Sequence, residues 1–151
     1  MASKTPIGRS IVIESTPSTI VGVCERILSE LEANHFSQED IFAVHLALQE
    51  SFLNALKHGN KMDAGKDIKI DYLLGSDRIE ISMMDEGNGF DPDSVPDPRL
   101  GKNLYKTEGR GLLLMRSYMD VVKFNELGNC VHMVRYKEKP HLTETQSQTQ
   151  A

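Results

Sequence analysis

Two runs of strict alternation constrain this chain more than anything else in it. Ile68, Ile70, Tyr72 and Leu74 form the first, Ile79, Ile81 and Met83 the second, and Gly75-Ser76-Asp77 separates them. A period of two puts every apolar side chain of a run on one face. The short Gly/Ser/Asp connection reverses the chain, so the segment predicts an antiparallel hairpin with one apolar face. Such a hairpin is marginal in water alone and needs cover from the rest of the chain. Two helical segments upstream can supply it. Ile20, Val23, Cys24, Ile27, Leu28 and Leu31 recur at helical spacing after Thr16-Pro17, where proline fits a first turn. Ser37 with Asp40 three residues on reads as a capping box. It opens a second helix through Ile41, Phe42, Val44, Leu46, Leu48, Phe52, Leu53 and Leu56 to a stop at Gly59. Apolar residues lie nearly all round this helix, which predicts burial on more than one side.

The remaining segments complete a single sheet. Ile11 and Ile13 alternate in a short strand over Ser10 to Glu14, and residues 1–9 are expected to be a flexible N-terminus. Residues 91–108 contain Pro92, Pro96 and Pro98 and no sustained periodicity. Loops beyond about 12–15 residues are uncommon, so this one reads as a functional lid or as a surface insertion. Gly109-Arg110-Gly111 opens a short helix from Leu112 to Met119. Strands Val121 to Asn125 and Cys130 to Tyr136 follow, joined at Gly128-Asn129, and residues 137–151 are Thr/Gln/Ser-rich and expected to be a disordered tail. The order predicts an α+β two-layer sandwich in which a mixed, mostly antiparallel sheet carries its helices on one face.

A chain of 151 residues holds one domain, placed at 10–136. Lys and Arg total 17 against 22 Asp and Glu, a net charge of −5, which argues against direct nucleic-acid contact. No apolar run approaches the ~18 residues of a membrane span. The first ten residues lack the apolar core of a secretory signal, so the expected location is the cytoplasm, with no membrane partner. Cys24 and Cys130 stand far apart and read as buried apolar residues.

Three places carry chemistry. Glu50, Asn54 and His58 fall at i, i+4 and i+8 and share a helix face. A carboxamide oxygen suits Mg²⁺, and a carboxylate one turn away can orient or deprotonate a hydroxyl. A solvent-facing polar stripe fits the same residues equally well, and His58 beside Gly59 reads as a helix C-terminal residue rather than a ligand. Asp85 continues the inward phase of Ile79, Ile81 and Met83, and Gly87 and Gly89 follow it. An inward carboxylate needs a partner, for which an exocyclic amine such as that of adenine is suited, and the glycines admit a flat ligand. The alternative is an ordinary Asp/Asn/Gly turn. Gly109, Arg110 and Gly111 precede a helix whose free N–H groups can hold an anion, with Arg110 adding the right charge. A plain glycine-rich helix entry is the competing reading.

Taken in order, the three places resemble a known set. Glu50-Ser-Phe-Leu-Asn54-Ala-Leu-Lys-His58-Gly59 resembles the N-box of the GHKL ATPase superfamily. Asp85-Glu-Gly87-Asn-Gly89-Phe90 resembles its G1 box, and Gly109-Arg-Gly111-Leu-Leu-Leu-Met its G2 box. The stand-alone length and the run from Gly109 to Asp120 are similar to the anti-sigma factor serine-protein kinases of bacterial partner-switching systems. The resemblance implies the Bergerat ATP-binding sandwich, with residues 91–108 as its ATP lid. It implies ATP and Mg²⁺ as cofactors, Asn54 on the metal, Asp85 on the adenine amine and Gly87 and Gly89 shaping the base pocket. It further implies Gly109 and Gly111 at the phosphates and Glu50 as the catalytic base toward a partner's serine. Partners so implied are a sigma factor and an anti-anti-sigma protein, met by a homodimer that controls transcription. The alternative function is an ATP-binding module that sequesters a partner without phosphotransfer.

Overall fold

The structure, a computed structural model, describes residues 5–87 and 110–137. Strand β1 spans Ile7–Glu14, helix α1 Ile20–Ala33 and helix α2 Gln38–Asn54, and a π-helical turn, Ala55–Gly59, continues directly from α2. Strands β2 (Asp67–Leu74) and β3 (Arg78–Met84) follow, then helix α3 (Arg110–Tyr118) and strands β4 (Val121–Phe124) and β5 (Cys130–Tyr136). The five strands form one sheet in the order β1-β2-β3-β5-β4. Every neighbouring pair is antiparallel, so the expected mixed sheet is antiparallel throughout the described residues.

The hairpin takes the register its alternation demands. Ile70 opposes Met83, Tyr72 opposes Ile81 and Leu74 opposes Ile79, all facing the core. That face packs beneath α1, α2 and α3 in one apolar cluster with Ile27, Leu31, Leu48, Phe52, Met115 and Met133. The other face leaves Val12, Leu73, Met84 and Tyr136 exposed. Glu30 of α1 ties helix to sheet: Tyr72 donates its hydroxyl to Glu30 Oε1 at 2.5 Å and Arg9 Nε donates to Oε2 at 3.1 Å. Burial, then the neighbouring Glu30 carboxylate, push the Tyr72 phenol up to about 12.

Element starts differ from the sequence expectation in three places, and at α3 the helix already includes Arg110 and Gly111 rather than starting at Leu112. β1 begins at Ile7 rather than Ser10, and Arg9, exposed but in the phase of Ile7, Ile11 and Ile13, pairs there with Glu30 of α1. α1 begins at Ile20 rather than beside Pro17. Thr19 stands at its N-cap but turns its hydroxyl back to Glu14 O at 2.7 Å and Thr16 O at 2.8 Å, so residues 17–19 form a turn.

The capping box of α2 is present in full: Ser37 Oγ accepts from Asp40 N, and Ser37 N donates to Asp40 Oδ2. Arg135 of β5 then closes over Asp40, Nε to Oδ1 at 2.8 Å, and donates Nη1 to Tyr118 O at 2.7 Å. α2 is buried on several sides but not all round, since Phe42 is 56% and Leu53 38% exposed. No helix among the described residues is long and apolar enough to cross a membrane.

Candidate functional site

The last turn of α2 and the end of β3 form two sides of a cleft, and the β4–β5 turn closes the third. Ser51, Asn54 and Ala55 contribute from the helix, Met83 and Asp85 from the strand, and Phe124 with residues 128–131 from the turn. The space measures about 270 Å³, part of it open to solvent. Asn54 and Asp85, 31 positions apart by number, are thus brought to one cavity. Asn54 is half-buried, and its amide has no hydrogen-bond partner among the described residues.

Asp85 sits half-buried over the backbone of Gly59. A Cβ at Gly59 would occupy the Asp85 carboxylate, and a Cβ at Gly87 would strike the Gly59 carbonyl. Both glycines are therefore required by close approach, one strand end resting on the π-turn. Gly87 N donates to Asp85 Oδ1 at 2.7 Å, so the Asx turn and the inward carboxylate coexist. Burial pushes the Asp85 carboxyl up, against the lowering effect of the Gly87 N–H and of Lys66.

The π-turn sets this arrangement. Asn60 N donates to Ala55 O at 2.7 Å, five residues back, and the wider turn carries Gly59 under Asp85. It also ends the shared face of Glu50, Asn54 and His58, because His58 lies exposed. Asn60 is fully buried and holds three segments together. Its Nδ2 donates to Ser15 Oγ at 2.6 Å and to Asp67 O at 2.9 Å, and its Oδ1 accepts from Glu86 N at 2.7 Å. Sequence reasoning missed this residue. An asparagine after a helix-ending glycine reads locally as a loop, and its partners come from elsewhere in the chain.

Glu50 lies one turn back along α2, outside the cleft lining, and meets α3 instead. Its Oε1 occupies the place a Cβ at Gly111 would take. Phe42 meets Tyr118 edge-to-face at 5.6 Å, so α3 runs antiparallel to α2 with its first turn at Glu50. A carboxylate at a helix N-terminus is electrostatically favourable, and Glu50 has no hydrogen-bond partner among the described residues. Arg110 is exposed at the first residue of α3. Gly89, Gly109 and residues 91–108 lie outside the described residues.

The model of the histidine kinase-like ATPase domain matches residues 13–135. The chain belongs to that family. Among curated relatives, serine-protein kinase RsbW of Oceanobacillus iheyensis is 31% identical over 125 residues, covering 77% of this chain and 78% of its own. RsbW of Bacillus licheniformis is 27% identical over 135 residues, 82% of each chain. Within the histidine kinase-like ATPases the chain therefore groups with the serine-protein kinases named RsbW. Among solved structures, the RsbU and RsbW domains of a Mycobacterium tuberculosis protein align with a TM-score of 0.52 at 15% identity. That match covers 89% of this chain and 32% of the longer one, and shows the shared fold.

Proposed function

We propose that the protein is an ATP- and Mg²⁺-dependent serine kinase and anti-sigma factor that phosphorylates an anti-anti-sigma partner in a partner-switching control of transcription. The observation that carries the reading is the meeting of Asn54 and Asp85 in one cleft, with Glu50 one turn away against the start of α3. The residues fit the cofactors. The Asp85 carboxylate has one oxygen engaged by Gly87 and accepts a base amine with the other. Gly59 and Gly87 let the end of β3 rest on the π-turn and so set the place of the Asp85 carboxylate. Among the described residues no group of three or more His, Cys, Asp or Glu is placed to hold a metal. Asn54 would hold Mg²⁺ through its carboxamide oxygen, with phosphate and water left to supply the other ligands, a donor set that suits this cation.

Bound ATP supplies the phosphoryl group and Mg²⁺ spreads its negative charge. Asn54 fixes the cation, and Asp85 fixes the base end. The first N–H groups of α3, with Gly111 and Arg110, offer donors and positive charge to phosphate oxygens. Glu50 accepts the proton of an incoming serine hydroxyl. The same reading has Gly89 beside Gly87, Gly109 beside Gly111, residues 91–108 as the lid, and a homodimer acting in the cytoplasm.

Labelled ATP with the purified chain and a candidate anti-anti-sigma protein tests the reading. Glu50→Gln is expected to cut serine phosphorylation by about 10²–10⁴, the range of a general base, while nucleotide binding persists. Tight nucleotide binding with no phosphoserine on any candidate would instead mark a sequestering module.

A further inference from the structure

The β4–β5 turn forms one wall of the cleft, and a single side chain organises it. Asn125 Oδ1 accepts from Gly128 N at 2.7 Å, Asn129 N at 3.0 Å and Cys130 N at 3.2 Å. Its Nδ2 donates to Asn129 Oδ1 at 2.7 Å. Gly128 is held at φ 84°, a left-handed conformation that glycine adopts without strain. Asn129 then reaches across the sheet end, its carbonyl accepting from Asp85 N at 2.9 Å. One amide thus fixes three consecutive N–H groups of the wall and, through Asn129, the backbone of the residue read as the base contact.

We propose that Asn125 is a positioning residue for purine nucleotide. It sets the turn wall of the cleft and the placement of Asp85 without touching the ligand itself. The proposal rests on the reading of the cleft as a nucleotide site. The surrounding turn adds little to the core, since Glu126 and Leu127 are exposed. Loss of the Asn125 contacts therefore falls on the shape of the cleft more than on the cohesion of the molecule.

Titration of the full chain with a ribose-labelled fluorescent ADP and Mg²⁺, paired with thermal melting, separates the outcomes. Asn125→Ala is expected to weaken binding roughly tenfold or more with a Tm close to wild type. Asn125→Asp keeps the three-fold acceptor, Asn129 can turn its amide to donate, and near-wild-type affinity should return. Leu127→Ala, at the exposed tip, is expected to bind as wild type does. Unchanged binding in Asn125→Ala overturns the proposal. So does weakened binding that tracks a large fall in Tm and is not rescued by Asn125→Asp. A wild-type chain that does not bind the probe overturns the nucleotide reading itself, and with it this proposal.

Discussion

A carboxylate that continues the apolar phase of a strand is expensive, and Asp85 shows what the expense is for. Burial raises its pKa above the ordinary 3.8, so the folded state holds the proton more tightly than the unfolded chain. Its contribution to stability is therefore greatest in acid and falls as pH rises through the folded pKa, leaving the full cost in place at neutral pH. Asp85→Asn removes that cost. Its Tm at pH 7 should exceed that of wild type, and the difference should vanish as the pH is lowered toward the unfolded-state value. On the proposed role of Asp85 as the base contact, the same change removes an ionised acceptor, a loss of about 1.5–3 kcal/mol or roughly ten- to hundredfold in ATP affinity. Melts across pH together with calorimetric titration check both signs, and an Asn variant that binds ATP as tightly as wild type would count against the assigned role. Asn60 presents the opposite case, a buried polar group whose value is structural. Asn60→Ala takes their side-chain partner from Glu86 N and Asp67 O and leaves Ser15 Oγ only its bond to Lys66 O, and should cost roughly 3 kcal/mol in denaturant unfolding.

At the level of elements, what could be read from the sequence was what local chemistry decides. The hairpin of β2 and β3 follows from period-two alternation, and the start of α2 from Ser37 and Asp40, groups within three residues of each other. The starts of β1 and α1 involve partners farther away: Arg9 is met by Glu30 of α1, and Thr19 turns from its own helix to Glu14. The site divides the same way. Glu50, Asn54 and Asp85 were visible as ordered polar residues, while the role of Asn60 is made by distant segments, and the local turn around Asn125 meets the cleft only through the bond of Asp85 N to Asn129 O. The π-turn was invisible for another reason, since no residue preference marks it. Its exit is strained: Lys61 and Met62 sit at φ 52° and 63° with no glycine to ease the turn. A side chain in that region costs about 1–2 kcal/mol, whereas the added freedom of glycine in the unfolded chain costs about 0.4–1. Met62, which is exposed and buries little, is the place to make the exchange. Met62→Gly should stabilise by roughly 0.5–1 kcal/mol, measured by chemical denaturation; a loss of stability would show that the loop is not strained there.

For the molecule as a whole, Arg135 joins parts that no single layer connects. From β5 it reaches the N-terminal cap of α2 at Asp40 and the C-terminal end of α3 at Tyr118. Arg135→Lys keeps the charge but loses the planar fork that serves both, and should cost about 1.5–3 kcal/mol with unchanged m-value. The sheet order has a consequence in time as well as in space. β2–β3 and β4–β5 are local hairpins, but β1–β2 and β3–β5 join residues 46 to 67 positions apart. The two hairpins can form in microseconds, and the long-range pairings must wait for chain closure over intervening helices. Asp85 stands at the end of one hairpin and Asn125 at the turn of the other, so two of the three sides of the cleft lie on segments that pair locally, and the last turn of α2 is the third. The cavity itself comes into being only when β5 docks on β3. Refolding should therefore show ligand competence arriving late, with the final cooperative step.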